Sequence, residues 1–219
     1  MNAERVVVTA CAVITLAACA IGKPMPKATT YVVAPPMAAA NSPSSRRPDA
    51  LRMGNVHVAA AYASNALVYR LDDVRYASDP YHAFIAEPGA MLGTQMAEWL
   101  DRAGPFETVA LPGSTRPTRY VLDATVAELY GDFRAGRSPA AVLTVQFTLI
   151  DQAARPKVVY ESTIARRVDL PQASPDALVR GYGKALEEIL MQLAPEISAE
   201  KLLPRDQPDN QQDAGRRDR

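Results

Sequence analysis

The chain has 219 residues, 48% of them hydrophobic, and its 24 Lys and Arg offset 24 Asp and Glu to a net charge of +0. A neutral chain has no overall field to attract nucleic acid or an anionic bilayer, which disfavours a nucleic-acid partner. His57 and His82 stand far apart in the sequence with no cysteine or carboxylate cluster around them, so a metal site is not expected.

Residues 1–18 read as a signal peptide. Arg5 supplies a short positive segment and residues 6–18 form an almost unbroken apolar run. A span of roughly 30 Å of hydrocarbon takes about 20 apolar residues, so export and cleavage fit better than a retained transmembrane helix. At the end of the run, Leu16-Ala17-Ala18-Cys19 resembles the lipobox of bacterial lipoproteins. That resemblance implies cleavage between Ala18 and Cys19, a diacylglyceryl thioether on Cys19 and acylation of the new amino terminus. No cofactor beyond this covalent lipid is implied. The other reading of these residues is an ordinary secretory signal with a chance cysteine. Ala20 stands where an aspartate would signal inner-membrane retention in enteric bacteria, which tilts the expected address to the outer membrane. Cys11 lies within the removed segment, leaving a mature chain with one cysteine and no internal disulfide.

After the lipobox, residues 19–50 are rich in Pro, Ala and Ser and are expected to be a flexible tether. A short edge strand near residues 31–34, around Tyr31-Val32-Val33, is the alternative for part of it. Residues 51–199 form the expected domain, and residues 200–219 the expected disordered polar tail. Residues 51–59 and 66–76 alternate apolar and polar positions, the second with Leu67, Tyr69 and Leu71 on one face, as strands do. Residues 87–103 place Leu92, Met96, Trp99, Leu100 and Ala103 on one helical stripe, with Pro88 in the first turn and Gly104-Pro105 as the stop.

The period then returns to two. Tyr120, Leu122, Ala124 and Val126 share a face; so do Leu143, Val145, Phe147 and Leu149, and in a third strand Val158, Tyr160, Ile164 and Val168. Gly and Pro at residues 131–139 and Pro156 after 153 suit antiparallel turns. Ser174-Pro175-Asp176 caps a second helix whose stripe is Leu178, Tyr182, Ala185, Leu186, Ile189, Leu190 and Leu193, ended by Pro195. The expected fold is α+β, a mainly antiparallel sheet with two amphipathic helices on one face, in the order β-β-α-β-β-β-α. Thr125, Thr144, Gln146, Thr148, Thr163 and Arg167 would lie on the other face, either solvated or meeting a partner or another copy.

The run Ala66-Leu67-Val68-Tyr69-Arg70, then Glu87-Pro88-Gly89-Ala90-Met91-Leu92, Trp99-Leu100, Gly104-Pro105-Phe106-Glu107-Thr108-Val109 and Tyr120-Val121-Leu122-Asp123 resembles the ABC-type transport auxiliary lipoproteins, typified by paraquat-inducible protein C. Phe84-Ile85 departs from it where a tryptophan is expected. The resemblance implies a periplasm-facing accessory of an ABC system, working with an MCE-domain protein and the permease and ATPase subunits on phospholipid or other hydrophobic solutes. The membrane contact would be the acyl anchor, with a homo-oligomer left open, and no catalytic residue is implied. No nucleophile elbow, P-loop or glycine-rich dinucleotide turn occurs in the sequence. Three rivals differ in class: a lipid-binding carrier with a pocket around Trp99, Phe147 and Tyr182; an outer-membrane assembly lipoprotein with a β-barrel partner; and an enzyme whose fold gathers Asp72, Asp73 and His57.

Overall fold

Among the described residues, eight strands make a single mixed sheet, and two helices cover one of its faces. The computed structural model describes residues 27–36, 46–153 and 155–198. The signal segment, with Leu16, Ala17, Ala18 and Cys19, and the tail 200–219 lie outside the described residues. In chain order the elements are β1 (Thr29–Tyr31), β2 (Arg47–Val58), a 3-10 turn (Ala60–Tyr62), β3 (Ala66–Arg70), β4 (Tyr76–Phe84), α1 (Pro88–Ala103), β5 (Phe106–Ala110), β6 (Tyr120–Asp132), β7 (Ala140–Asp151), β8 (Lys157–Asp169) and α2 (Pro175–Glu196).

The three long strands β6, β7 and β8 pair antiparallel along their length, and Leu143, Val145, Phe147 and Leu149 of β7 are all fully buried. Each such side chain stabilises by about 1.5–3 kcal/mol on burial. On its other edge β6 is shared: residues 120–126 pair with β2 and residues 131–132 with β3, both parallel. The sheet therefore forks, with β2 and β5 on one branch and β3, β4 and β1 on the other. A bulge in β6 at Ala127 lets the strand change partner between the branches.

Both helices bury the stripes read from the sequence, including Leu92, Met96, Trp99 and Leu100 in α1 and Leu178, Tyr182, Leu186, Ile189 and Leu193 in α2. The Ser174 hydroxyl accepts from Ala177 N–H and so caps α2, while Pro195 sits within its last turn and the helix continues to Glu196. Among the described residues no helix is long and apolar enough to cross a membrane.

Four sequence expectations need correction. The tether expected over 19–50 gives way to β2 from Arg47, while the edge-strand alternative near residues 31–34 is met by β1 at Thr29–Tyr31, with Val33 buried just after it. The strand expected over 66–76 is a strand followed by a turn: Leu71 N–H donates to Arg75 O, and Leu71 is exposed beyond the end of β3. Strands β4 and β5 were not expected. Val158 does not share the core face, because Leu149 pairs with Tyr160 and Ile150 with Val158, so Val159 is a bulge residue that puts Val158 on the outer side.

Gly183 of α2 admits the segment after β1 at close range: a Cβ there would lie 2.4 Å from Ala34 O. Gly183→Ala must push that segment off the helix. We expect a loss of about 1–3 kcal/mol by thermal unfolding, together with faster hydrogen exchange at residues 29–33. Unchanged exchange there would show that the helix yields instead.

Candidate functional site

Thr29 is the described residue nearest the amino terminus that enters regular structure, and it opens the β1 end of the fold. Strand β1 pairs only with the end of β4, matching Thr29 with His82 and Tyr31 with Phe84. The end of β4 is re-aimed for this by an irregular stretch. Ala66 pairs with Ala83 and Val68 with Ser78, so residues 79–82 of β4 stand opposite Leu67 alone. Pro80 fits there because no ladder hydrogen bond is required of it.

Asp79 holds that stretch together. Its Oδ1 accepts from Tyr81 N–H (2.8 Å) and His82 N–H (3.0 Å); its Oδ2 accepts from Tyr69 Oη (2.6 Å) and lies 2.8 Å from His82 Nδ1. Partial burial opposes ionisation of Asp79, but the bonds from Tyr69, Tyr81 and His82 outweigh it and hold the carboxyl below its ordinary range. Burial, then the bond to Asp79, pushes the Tyr69 hydroxyl well above its ordinary value. The His82 ring lies 6.0 Å from that of Tyr31, which packs on the core. The cluster can brace a strand junction.

A second ionic cluster closes the fork. Asp132, 1% exposed, accepts from Arg134 Nε and Nη2 at 2.8 Å each and from Arg167 Nη1 at 2.5 Å. Arg134 Nη1 reaches on to Asp73 at 2.8 Å, tying the β3–β4 turn to β6. The Arg134 guanidinium and then Arg167 hold the Asp132 carboxyl far below its ordinary range although burial opposes its ionisation. On the other branch, the Arg47 guanidinium lies over the rings of Tyr120 (4.6 Å) and Phe106 (5.2 Å) and donates to Asp49 Oδ2 at 2.7 Å.

The residues singled out from the sequence fall as follows. Asp72 caps the β3–β4 turn, accepting from Val74 N–H and Arg75 N–H, while Asp73 engages Arg134. His57 is exposed on β2 opposite Thr125, at the other branch of the sheet, so the fold does not bring Asp72, Asp73 and His57 together. Among the described residues no group of His, Cys, Asp and Glu is placed to hold a metal ion. Trp99, Phe147 and Tyr182 all belong to the one buried core cluster. On the outer sheet face Gln146 and Thr163 are exposed and Thr125 and Thr148 half-buried; Thr144 is buried and donates to Glu128 Oε2 at 2.6 Å, and Arg167 is turned to Asp132. The Asp79 and Asp132 clusters escaped the sequence reading. Their only signal was acids and arginines inside apolar strands, at Asp132 and Arg167.

These features define a helix-covered α+β domain whose partly buried charges hold strand junctions in place. The chain belongs to the family of ABC-type transport auxiliary lipoprotein components, whose family model matches residues 31–194. A crystal structure of a Xanthomonas campestris protein of the DUF330 family is similar at 17% identity and a TM-score of 0.64, covering 76% of this chain and 92% of that one. A crystal structure of an uncharacterized protein is similar at 17% identity and a TM-score of 0.63, covering 78% and 99%. At such identity the likeness concerns the fold. No curated protein matches the chain.

Proposed function

We propose that this protein is a lipid-anchored accessory subunit of an ABC transport system with an MCE-domain component, coupling the movement of phospholipid or another hydrophobic solute between the two membranes. The observation that carries the reading is the family match over residues 31–194, directly downstream of Leu16-Ala17-Ala18-Cys19. Acyl chains on Cys19 hold the domain on the periplasmic side of a membrane, the outer membrane by the absence of aspartate at Ala20. The subunit works by position and contact, without ATPase or hydrolytic activity of its own. Its rigidly braced strand junctions suit a docking body. Affinity isolation of the full-length protein from detergent-solubilised membranes is expected to bring down the MCE protein and the permease and ATPase subunits. Clean isolation with none of them sinks the assignment.

A further inference from the structure

Three large apolar side chains stand exposed where the tether meets the fold. Val32 is 48% exposed, Ile85 62% and Tyr81 39%. Singly exposed apolar residues need no explanation. These three, however, share one short ladder. Val32 and Ile85 each lie one residue beyond the last registered pair, Tyr31 with Phe84, and Ile85 N–H donates to Tyr31 O at 2.9 Å. Tyr81 precedes His82, which pairs with Thr29 at the other end.

Only residues 20–28 separate Cys19 from Thr29, so this ladder stays within about 35 Å of the lipidated sulfur even with the chain drawn out straight. The charge along that path has one sign. Residues 20–28 contain Lys23 and Lys27 and no Asp or Glu. A locally basic stretch is drawn to anionic headgroups although the whole chain is neutral. A tyrosine on the same ladder as aliphatic side chains suits the headgroup boundary, where one end of the ring is wet and the other apolar.

We infer that the β1–β4 end is a bilayer-contact surface, in which Val32, Ile85 and Tyr81 rest at the headgroup boundary and Lys27 faces anionic lipid. The inference rests on the anchoring of Cys19. A patch this small would not hold a free domain, but the tether makes its contact intramolecular and raises the effective concentration of the surface it touches. It fixes which way the domain faces. The β3–β4 turn, where Val74 is 85% exposed, forms the opposite end of the β3–β4 ribbon and is turned away from the lipid.

The test uses the full chain, processed in cells, its acylation checked by intact mass. Val32→Cys, Ile85→Cys and Val74→Cys each introduce the only free thiol, since the Cys19 sulfur is a thioether. Each is labelled with a small fluorophore and reconstituted in vesicles of phosphatidylethanolamine and phosphatidylglycerol that carry a nitroxide-headgroup lipid. Quenching at residues 32 and 85 is expected to exceed that at 74 by about twofold or more. Equal quenching on an acylated chain overturns the bilayer contact and leaves the anchor standing. A shielded but unquenched label at 32 and 85 means that a second copy or another protein covers the patch, which also overturns it. A mass showing bare Cys19 removes the anchor and this inference together.

Discussion

A Cys19→Ser chain is expected to appear in the soluble periplasmic fraction, to unfold at the temperature of the wild-type domain, and to leave transport at the level of a deletion. The first part follows from chain chemistry: a serine hydroxyl cannot form the thioether proposed to carry the diacylglyceryl group, and each methylene withdrawn from the bilayer forfeits about 0.8 kcal/mol. One acyl chain anchors only marginally, so the loss of all of them leaves nothing comparable. Unchanged unfolding is expected because the described fold begins at residue 27 and buries no residue before Tyr31 in its core. Loss of transport follows from the proposed function of position, in which a domain free in the periplasm would no longer join one membrane to the apparatus of the other. The measurement is fractionation with a detergent-resistance or permeability assay of the same strain. A soluble chain that restores transport fully would show that the domain acts without its anchor.

The parts legible in the sequence were those whose pattern is local. Leu143, Val145, Phe147 and Leu149 announce β7 because both neighbours in the sheet are antiparallel and one face is buried, which enforces strict alternation. The helices were legible for the same reason, each burying one stripe on the sheet. Strand β4 was not, since Ser78-Asp79-Pro80 breaks the alternation and the residues that compensate, Tyr69 and Asp79, become partners only in the folded chain. Strand β5 follows Gly104-Pro105 at once and is only five residues long, Phe106–Ala110. The parallel pairing of β2 and β3 with β6 depends on long-range register that no local period encodes.

The polar face of the problem was harder still. Arg46-Arg47-Pro48-Asp49 has a tether's composition, yet the Arg47 guanidinium lies over rings that arrive from β5 and β6. The proposed lipobox is a reading of four adjacent residues, whereas the surface proposed to meet the same membrane required β1 and β4 to be brought together. Signals confined to one segment were readable; those divided between segments awaited the fold.

Asp132→Ala should be the most destabilising single change in the ionic framework. Asp132 is 1% exposed and is the shared acceptor of Arg134 and Arg167, whose side chains are 14% and 41% exposed. Removing one partner of a buried pair leaves uncompensated charge and costs about 3–5 kcal/mol. The partial exposure of Arg167 places the expected loss near the lower end, a fall of roughly 6–12 °C in Tm for a domain of this size. Asp73, which is 84% exposed and also meets Arg134, serves as the comparison; Asp73→Ala should change stability by no more than about 0.5 kcal/mol. The sign with pH follows from the carboxyl being held below its unfolded value of about 3.9. As pH falls, the unfolded chain takes up this proton first, so the stabilisation from Asp132 is complete above that value and is lost on going down towards the folded one. Urea unfolding at about pH 7 and about pH 3 should therefore show the wild type losing more stability on acidification than Asp132→Ala, with some slope retained in the variant from Asp79 and Asp151, whose carboxyls are also lowered. Equal acid losses in the two proteins would mean that the buried carboxylate contributes no net stabilisation, and that the fork is held by the β6 ladder alone.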